Sequence, residues 1–113
     1  MATVKALSAA ELAETAAIYK VLSNPTRIRI LYALENNELD VSTIVKVLEL
    51  DQPSVSHQLA ILKKHQLVAS TKVGKHVHYR LDDPHILEVI EATIAHVKHV
   101  ILGLPHGSDG DSF

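Results

Sequence analysis

The sequence of 113 residues contains no cysteine. The lack of thiols excludes disulfides, thiolate metal sites and thiol-based redox sensing, so nitrogen and oxygen ligands are the ones left for any metal. Apolar runs of transmembrane length and a signal-peptide pattern are also missing. We therefore expect a soluble, cytoplasmic protein with no membrane partner.

The length and the apolar content of the chain fit one folded domain. Apolar residues make up 47% of the sequence, as in a folded domain. A chain of this size buries only a modest fraction of its surface, so sharing a core with a second subunit would stabilise it. We expect one domain over residues 1–105 and a flexible tail over residues 106–113.

Acidic residues are missing from one continuous stretch of the chain. The net charge is −2, yet no Asp or Glu lies between Gln52 and Leu81, which leaves the remainder with −7. A localised positive surface is the electrostatic footprint of phosphate contact, although it can also be an ordinary solvated face. The five basic residues that give this stretch its charge of +5 are Lys63, Lys64, Lys72, Lys75 and Arg80.

Capping patterns predict two helices in the first third of the chain. Ser8 with Glu11 forms a capping-box pattern, and we expect the helix that follows to run to about Ser23. Asn24 is a good N-cap before Pro25, so a second helix should extend to about Glu35. Two arginines on this second helix, Arg27 and Arg29, are expected to reach solvent or phosphate.

The next two helices form a helix-turn-helix pattern. Asp40 or Ser42 can cap a short helix that ends near Leu50. Asp51 is the expected cap of the following helix, because Pro53 is tolerated only in a first turn. A short helix, a tight turn and a second helix therefore follow one another.

The hydrophobic period shortens to two after the helix-turn-helix. Alternation over Val68–Lys72 and His76–Leu81, around a glycine turn, predicts a β-hairpin. Val77, Tyr79 and Leu81 should face inward. The outward positions, predicted to lie beside Lys75 as a basic ribbon that follows a phosphate backbone, are His76, His78 and Arg80. The expected fold is mainly α with this small hairpin, which is a winged helix-turn-helix.

Short polar side chains begin the second helix of the helix-turn-helix. Such a helix enters the major groove with its N-terminal residues at base edges, where Gln and Ser can form hydrogen bonds. The alternative is that the two serines are ordinary first-turn residues and His57 an ordinary surface residue. The predicted partner is double-stranded operator DNA, and the predicted contacts are Gln52, Ser54, Ser56, His57, Lys64, Lys72, Lys75, His76 and Arg80.

A last, strongly apolar helix should begin at Asp83-Pro84 and end near Leu102, before Gly103. Its apolar residues form two adjacent stripes, so it should be buried on more than one side, against its own domain and against a partner helix.

Four potential metal ligands lie on this helix: Asp83, His85, His96 and His99. Imidazole and carboxylate are zinc-type ligands, and zinc prefers four of them in a tetrahedron. Eleven residues of helix separate the two pairs by about 16 Å. Two antiparallel copies of the helix would bring opposite ends together, so the pattern predicts a homodimer with two equivalent zinc-type sites.

Two alternatives remain open at this site. Asp83 precedes Pro84, so it can cap the helix instead of binding metal. His106 can add a donor, which six-coordinate nickel or cobalt would need.

Three stretches carry a resemblance to a known family. Residues 24–31, 53–64 and 74–81, with the run Ser56 to Leu59 as the most specific part, resemble the ArsR/SmtB family of winged-helix repressors. The likeness covers roughly residues 10 to 102. It implies that the first and last helices form the dimer interface, that the serine-containing helix enters the operator, and that metal binding releases DNA. Asp40 and Ser42 stand where thiolate-sensing members have cysteines, whereas the four ligands of the last helix match the zinc- and cobalt-responsive members.

The expected function is therefore a metal-responsive transcriptional repressor, without enzymatic activity and without a small-molecule substrate. A nickel or cobalt sensor of the same fold and a repressor that answers a non-metal signal are the alternatives. A zinc hydrolase is a weaker one, because four protein ligands would close the coordination sphere and no HExxH pattern occurs.

Overall fold

A computed structural model describes residues 3–103 of the chain. It is mainly helical with one small antiparallel sheet, so the predicted winged helix-turn-helix class is confirmed. The helices are α1 (Ala9–Leu22), α2 (Pro25–Ala33), α3 (Val41–Leu48), α4 (Gln52–Lys64) and α5 (His85–Leu102), and the strands are β1 (Leu39–Asp40), β2 (Val68–Val73) and β3 (His76–Leu81).

The chain forms two compact units, one that ends at Asp82 and one that begins at Asp83. The first holds α1 to α4 and the sheet, and the second holds α5. The expected domain over residues 1–105 stays a prediction, and the expected flexible tail lies outside the described residues.

Side-chain caps fix the start of the first two helices. Ser8 Oγ accepts from the Glu11 N–H at 3.1 Å, and Glu11 Oε1 accepts from the Ser8 N–H at 3.0 Å, which completes the capping box. Asn24 Oδ1 accepts from the Arg27 N–H at 3.1 Å. The second helix ends at Ala33, two residues before the predicted end, and the Leu34 N–H bonds back to the preceding turn.

The first helix of the helix-turn-helix begins at an aspartate cap and ends at a left-handed residue. Asp40, rather than Ser42, caps α3 by accepting from the Thr43 N–H at 2.8 Å. Glu49 takes a left-handed conformation with φ 55°, which ends α3 and turns the chain toward α4.

The sheet has three strands in the order β1-β3-β2, one strand more than the sequence predicted. In the hairpin, Val73 pairs with His76 around a two-residue loop whose first residue, Gly74, has φ +60°. A positive φ there is favourable only for residues such as glycine. The additional strand β1 pairs Leu39 with Tyr79 and Asp40 with His78.

The core of the first unit is apolar, and no polar side chain is buried among residues 3–103. Its members lie on α1 to α4 and on β2, except for Leu34, which follows α2, and Leu67, which precedes β2: Val21, Ile30, Leu31, Leu34, Ile44, Val55, Leu59, Leu62, Leu67 and Val68. On α5 the buried residues are Ile86, Leu87 and Ile90, all in the first two turns. Within the part of the chain that the structure describes, no helix has the length and apolarity needed to span a membrane.

Candidate functional site

The exposed face of α4 carries most of the predicted base-reading residues. Val55, Leu59 and Leu62 bury the opposite face completely. This determines which face of the helix is exposed, because residues three and four apart share a side. Gln52, Ser56, His57 and Lys64 are exposed, as a groove-reading role requires, whereas Ser54 is half-buried.

The first turn of α4 is held by Asp51. Its Oδ2 accepts from the Ser54 N–H at 2.9 Å, and the hydrogen bonds with Ser54 lower the pKa of the Asp51 carboxyl below its ordinary value. Ser54 is therefore part of the helix cap as well as a predicted DNA contact. The cap is the ordinary first-turn role that the sequence had left open for this serine.

Two further residues on the exposed face of α4 were not predicted from the sequence. Pro53 and Ala60 are exposed and lie four residues before and three residues after His57. Helical spacing from Ser56 and His57 was the signal that could have identified them. A methyl group such as that of Ala60 can contact the methyl group of thymine.

The hairpin presents lysine and histidine side chains to solvent. Lys72, Lys75 and His76 are exposed at the end of the hairpin that contains the Gly74 loop. These three predicted phosphate contacts therefore cluster at the tip of the wing.

Two basic side chains near the wing are held by hydroxyl groups. Arg80 Nη1 donates to Thr71 Oγ1 at 2.7 Å across the hairpin, and Lys63 Nζ donates to Ser70 Oγ at 2.7 Å between α4 and β2. Both side chains remain exposed and charged, so their charges face solvent in a restricted geometry.

The predicted alternation of β3 holds only in part. Tyr79 and Leu81 are half-buried as expected, but Val77 is 37% exposed although it was predicted to face inward. His78 was predicted to face outward and is half-buried, because the unexpected strand β1 covers that edge of β3.

Asp40 brings a carboxylate close to the wing. Its Oδ2 lies 3.7 Å from His76 Nδ1, and hydrogen bonds from Thr43, with a smaller contribution from His76 and His78, lower the pKa of the Asp40 carboxyl. His76 therefore has an acidic neighbour that the local sequence around it does not contain.

The two arginines of α2 were expected to reach solvent or phosphate; Arg29 is exposed and Arg27 is half-buried, and both bond within the protein. Arg29 Nη2 donates to the Leu48 carbonyl at 2.8 Å, at the end of α3. Arg27 Nε donates to Gln58 Oε1 at 2.7 Å, and its Nη1 donates to the Val21 carbonyl at 3.1 Å.

On the second unit, Asp83 and His85 are in direct contact. Asp83 Oδ1 accepts from the His85 N–H at 2.9 Å and lies 2.8 Å from His85 Nδ1. The hydrogen bonds from His85 lower the pKa of the Asp83 carboxyl. Asp83 therefore contacts the first residue of the helix, but the N-cap is Pro84, no side chain caps α5, and the α-helix begins at His85 instead of at Asp83-Pro84.

His96 and His99 lie on the same helix as His85, at its far end. Eleven residues of α-helix put His85 and His96 about 16 Å apart along the axis. Within residues 3–103 of one chain, no three His, Asp or Glu side chains come close enough together to hold a metal. The donor types suit zinc, but one chain supplies only two of them at each end of α5.

A solved structure shares this architecture over nearly the whole chain. It is the homodimeric winged helix-turn-helix DNA-binding domain of a possible ArsR-family transcriptional regulator from Mycobacterium bovis. The TM-score is 0.77, with 95% of this chain and 99% of that chain covered, at 24% identity. The fold and the exposed α4 face together define a winged helix-turn-helix protein.

Sequence comparison identifies the family. The protein-family model described as "Bacterial regulatory protein, arsR family" matches residues 24–70. The HTH-type transcriptional regulator NmtR of Mycobacterium tuberculosis is 34% identical over 92 residues, which are 81% of this chain and 77% of that protein. The cadmium resistance transcriptional regulatory protein CadC homolog of Staphylococcus aureus is 34% identical over 88 residues, 77% of this chain and 73% of its own length.

The chain belongs to the arsR family of bacterial regulatory proteins. The family consists of DNA-binding transcription regulators, so the prediction that the chain is not an enzyme is confirmed.

Proposed function

We propose that this protein is a metal-responsive transcriptional repressor that binds operator DNA as a homodimer and is released by zinc or cobalt. The observation that carries the proposal is the exposed α4 face with Ser56 and His57, followed in the chain by a wing without acidic residues. Binding at an operator places the protein in the cytoplasm.

Electrostatics support DNA as the partner. Lys64, Lys72 and Lys75 are exposed within a segment of charge +5, while the rest of the chain carries −7. Phosphate contacts by such residues supply most of the affinity and little of the specificity. Ser56 and His57 would supply the base contacts.

Exposed apolar side chains on α1 and α5 support a homodimer. On α1, Leu12 is 58% exposed and Tyr19 is 62% exposed, and on α5, Val100 is 66% and Ile101 is 72% exposed. Large apolar side chains left in water on two helices are typical of a protein–protein interface. Dimeric binding also matches a two-fold symmetric operator.

The proposed metal ligands are Asp83 and His85 from one subunit with His96 and His99 from its partner, in two equivalent sites per dimer. The nitrogen and oxygen donors and the absence of cysteine favour zinc or cobalt over metals that need thiolates. A metal bound there would link the two copies of α5. One of the relatives above is named for cadmium resistance, which agrees with a metal signal.

Metal and DNA then act on one dimer through two distinct sites. If the metal-linked dimer fits the operator less well, each ligand lowers the affinity for the other by the same factor. Such couplings are typically about 1 to 3 kcal/mol.

The test begins with operator selection from a random pool of DNA duplexes, followed by anisotropy titrations of the selected duplex. We expect affinity for this duplex to fall when zinc is saturating. His96→Gln should keep DNA binding and lose the response to zinc, while Lys98→Gln, on the same helix turn, should keep both. Unchanged operator affinity of the wild-type protein in saturating zinc would contradict the proposal.

The alternative is a nickel or cobalt sensor of the same fold. Six-coordinate nickel or cobalt needs more donors than the four proposed, and His106, which lies outside the described residues, can add one. Intense absorption bands of the cobalt-loaded protein would indicate four ligands, and weak bands would indicate six. If both His96→Gln and His99→Gln variants still release DNA on zinc, the signal acts elsewhere.

A further inference from the structure

Arg27 joins three helices of the first unit through its side chain. It lies in the first turn of α2, is half-buried, donates from Nε to Gln58 on α4, and donates from Nη1 to the Val21 carbonyl in the last turn of α1. The two distances are 2.7 Å and 3.1 Å, both within hydrogen-bonding range. No other side-chain hydrogen bond within residues 3–82 connects α4 with another helix.

Gln58 sits at the border between the two faces of α4. The preceding residue, His57, is exposed, and the following residue, Leu59, is completely buried. A hydrogen bond at this border resists rotation of the helix about its axis. With side chains about 5 to 6 Å from the axis, a rotation of about 10° moves an exposed polar atom by about 1 Å. This distance separates a good hydrogen bond to a base from none.

The apolar contacts of α4 do not fix the rotation as sharply. Dispersion contacts are individually weak and non-directional, whereas a charge-assisted hydrogen bond is short and directional. Arg27 also fixes α4 relative to the end of α1, because both of its bonds come from one rigid guanidinium group.

We infer that Arg27 is a positioning residue for DNA reading, which acts on α4 through Gln58 and does not itself contact DNA. The inference rests on the proposed function, since it requires sequence-specific DNA binding. It assigns to Arg27 a role in discriminating between sequences and none in neutralising phosphates.

The experiment is a double-mutant cycle read out as the ratio of affinities for the selected operator and for a random duplex. Arg27→Met keeps an unbranched stem and removes the donors, and Gln58→Met removes the acceptor. We expect each single variant to lower the ratio about tenfold, the loss expected for one charge-assisted hydrogen bond. The double variant should lower it no further than either single variant. Arg27→Lys keeps a charge and a donor but lacks the planar guanidinium group, so it should give an intermediate ratio.

Salt dependence separates positioning from phosphate contact. Affinity of Arg27→Met for the random duplex, and its dependence on salt, should match the wild-type protein. Lys75→Gln serves as the positive control and should lower the salt slope by about 1. Thermal unfolding of each variant identifies any that is not folded at the assay temperature, and the Arg27→Lys and Gln58→Met variants then carry the test.

Three results would overturn the inference. An equal loss on both duplexes with a lower salt slope would show that Arg27 contacts phosphate. Additive effects in the cycle would show that Gln58 reads DNA independently of Arg27, and unchanged ratios would show that the bond does not position α4. A wild-type protein that prefers no sequence would instead contradict the proposed function.

Discussion

One carboxylate oxygen of Asp83 faces both the backbone N–H and the imidazole Nδ1 of His85, at 2.9 Å and 2.8 Å. In the sequence, capping and metal binding compete for Asp83, and this contact with the first residue of α5 occupies one oxygen of the carboxylate that would bind a metal. A carboxylate that bonds one ring nitrogen of a histidine sets which nitrogen is left to bind a metal. The two roles of Asp83 therefore predict different effects when this residue is substituted.

Replacing Asp83 with Asn should separate ligation from orientation. If Asp83 binds the metal, as proposed, Asp83→Asn changes the absorption bands of the cobalt-loaded protein because a carboxylate donor is lost. A merely orienting carboxylate would leave the bands in place and lower metal affinity by about 10- to 100-fold. Absorption spectra and competition with a chelator of known affinity measure both quantities.

Asp82 provides a matched control for that variant. It is exposed and next in sequence, and its backbone N–H bonds to the Leu67 carbonyl within the first unit. Asp82→Asn should leave the cobalt bands and the metal affinity as in the wild-type protein. Unaltered bands in Asp83→Asn as well would contradict ligation by Asp83.

The local features of the fold could be predicted from the sequence because each rests on neighbouring residues. The capping box at Ser8, the cap at Asn24 and the glycine turn at Gly74 all involve partners within four positions. Such contacts are encoded by spacing alone.

What the sequence did not predict depends on pairings across long separations. Strand β1 has two residues, too few for a period, and it forms only because β3 lies beside it. The bond between Arg27 and Gln58 spans 31 residues. For the same reason the metal site stays a prediction, since its proposed donors lie on two chains.

The exposed Leu12 on α1 should be needed for the association of two subunits. Leu12→Glu places a charge on the proposed interface and should shift the protein toward monomer, because burying an unpaired charge is unfavourable. Val47→Glu on α3 is the control, since Val47 is 61% exposed and Leu12 is 58% exposed. Sedimentation equilibrium measures both. A dimer that Leu12→Glu leaves intact would contradict an interface through α1.

The capping aspartates should make stability depend on pH in the acid range. Hydrogen bonds from Ser54 and Thr43 hold the pKa values of Asp51 and Asp40 below their ordinary value of 3.8. The native state then binds fewer protons than the unfolded state, so this stability is complete well above pH 3.8 and is lost as pH falls through the native pKa values.

Two substitutions at Asp51 test that sign. Asp51→Asn keeps an N-cap oxygen without a titrating group, so its melting temperature at pH 7 should be close to that of the wild-type protein. Below about pH 4, its loss of stability should be smaller than that of the wild-type protein. Asp51→Ala removes the cap and should lower the melting temperature at pH 7 by about 4 °C. Calorimetry from about pH 2.5 to about pH 7 measures these melting temperatures. Equal losses of stability in acid for the wild-type protein and Asp51→Asn would contradict the assignment.

Base reading and phosphate contact should separate between α4 and the wing. Ser56→Ala removes one hydrogen-bonding hydroxyl from the exposed face of α4, so affinity for the operator should fall about tenfold while affinity for a random duplex stays the same. Lys72→Gln at the wing should weaken binding to both duplexes alike and lower the salt slope by about 1, because a phosphate contact carries no sequence information. Titrations at three salt concentrations distinguish the two patterns. A Ser56→Ala variant that loses affinity equally on both duplexes would show that the hydroxyl contacts the backbone, and base reading would then have to come from Gln52 and His57.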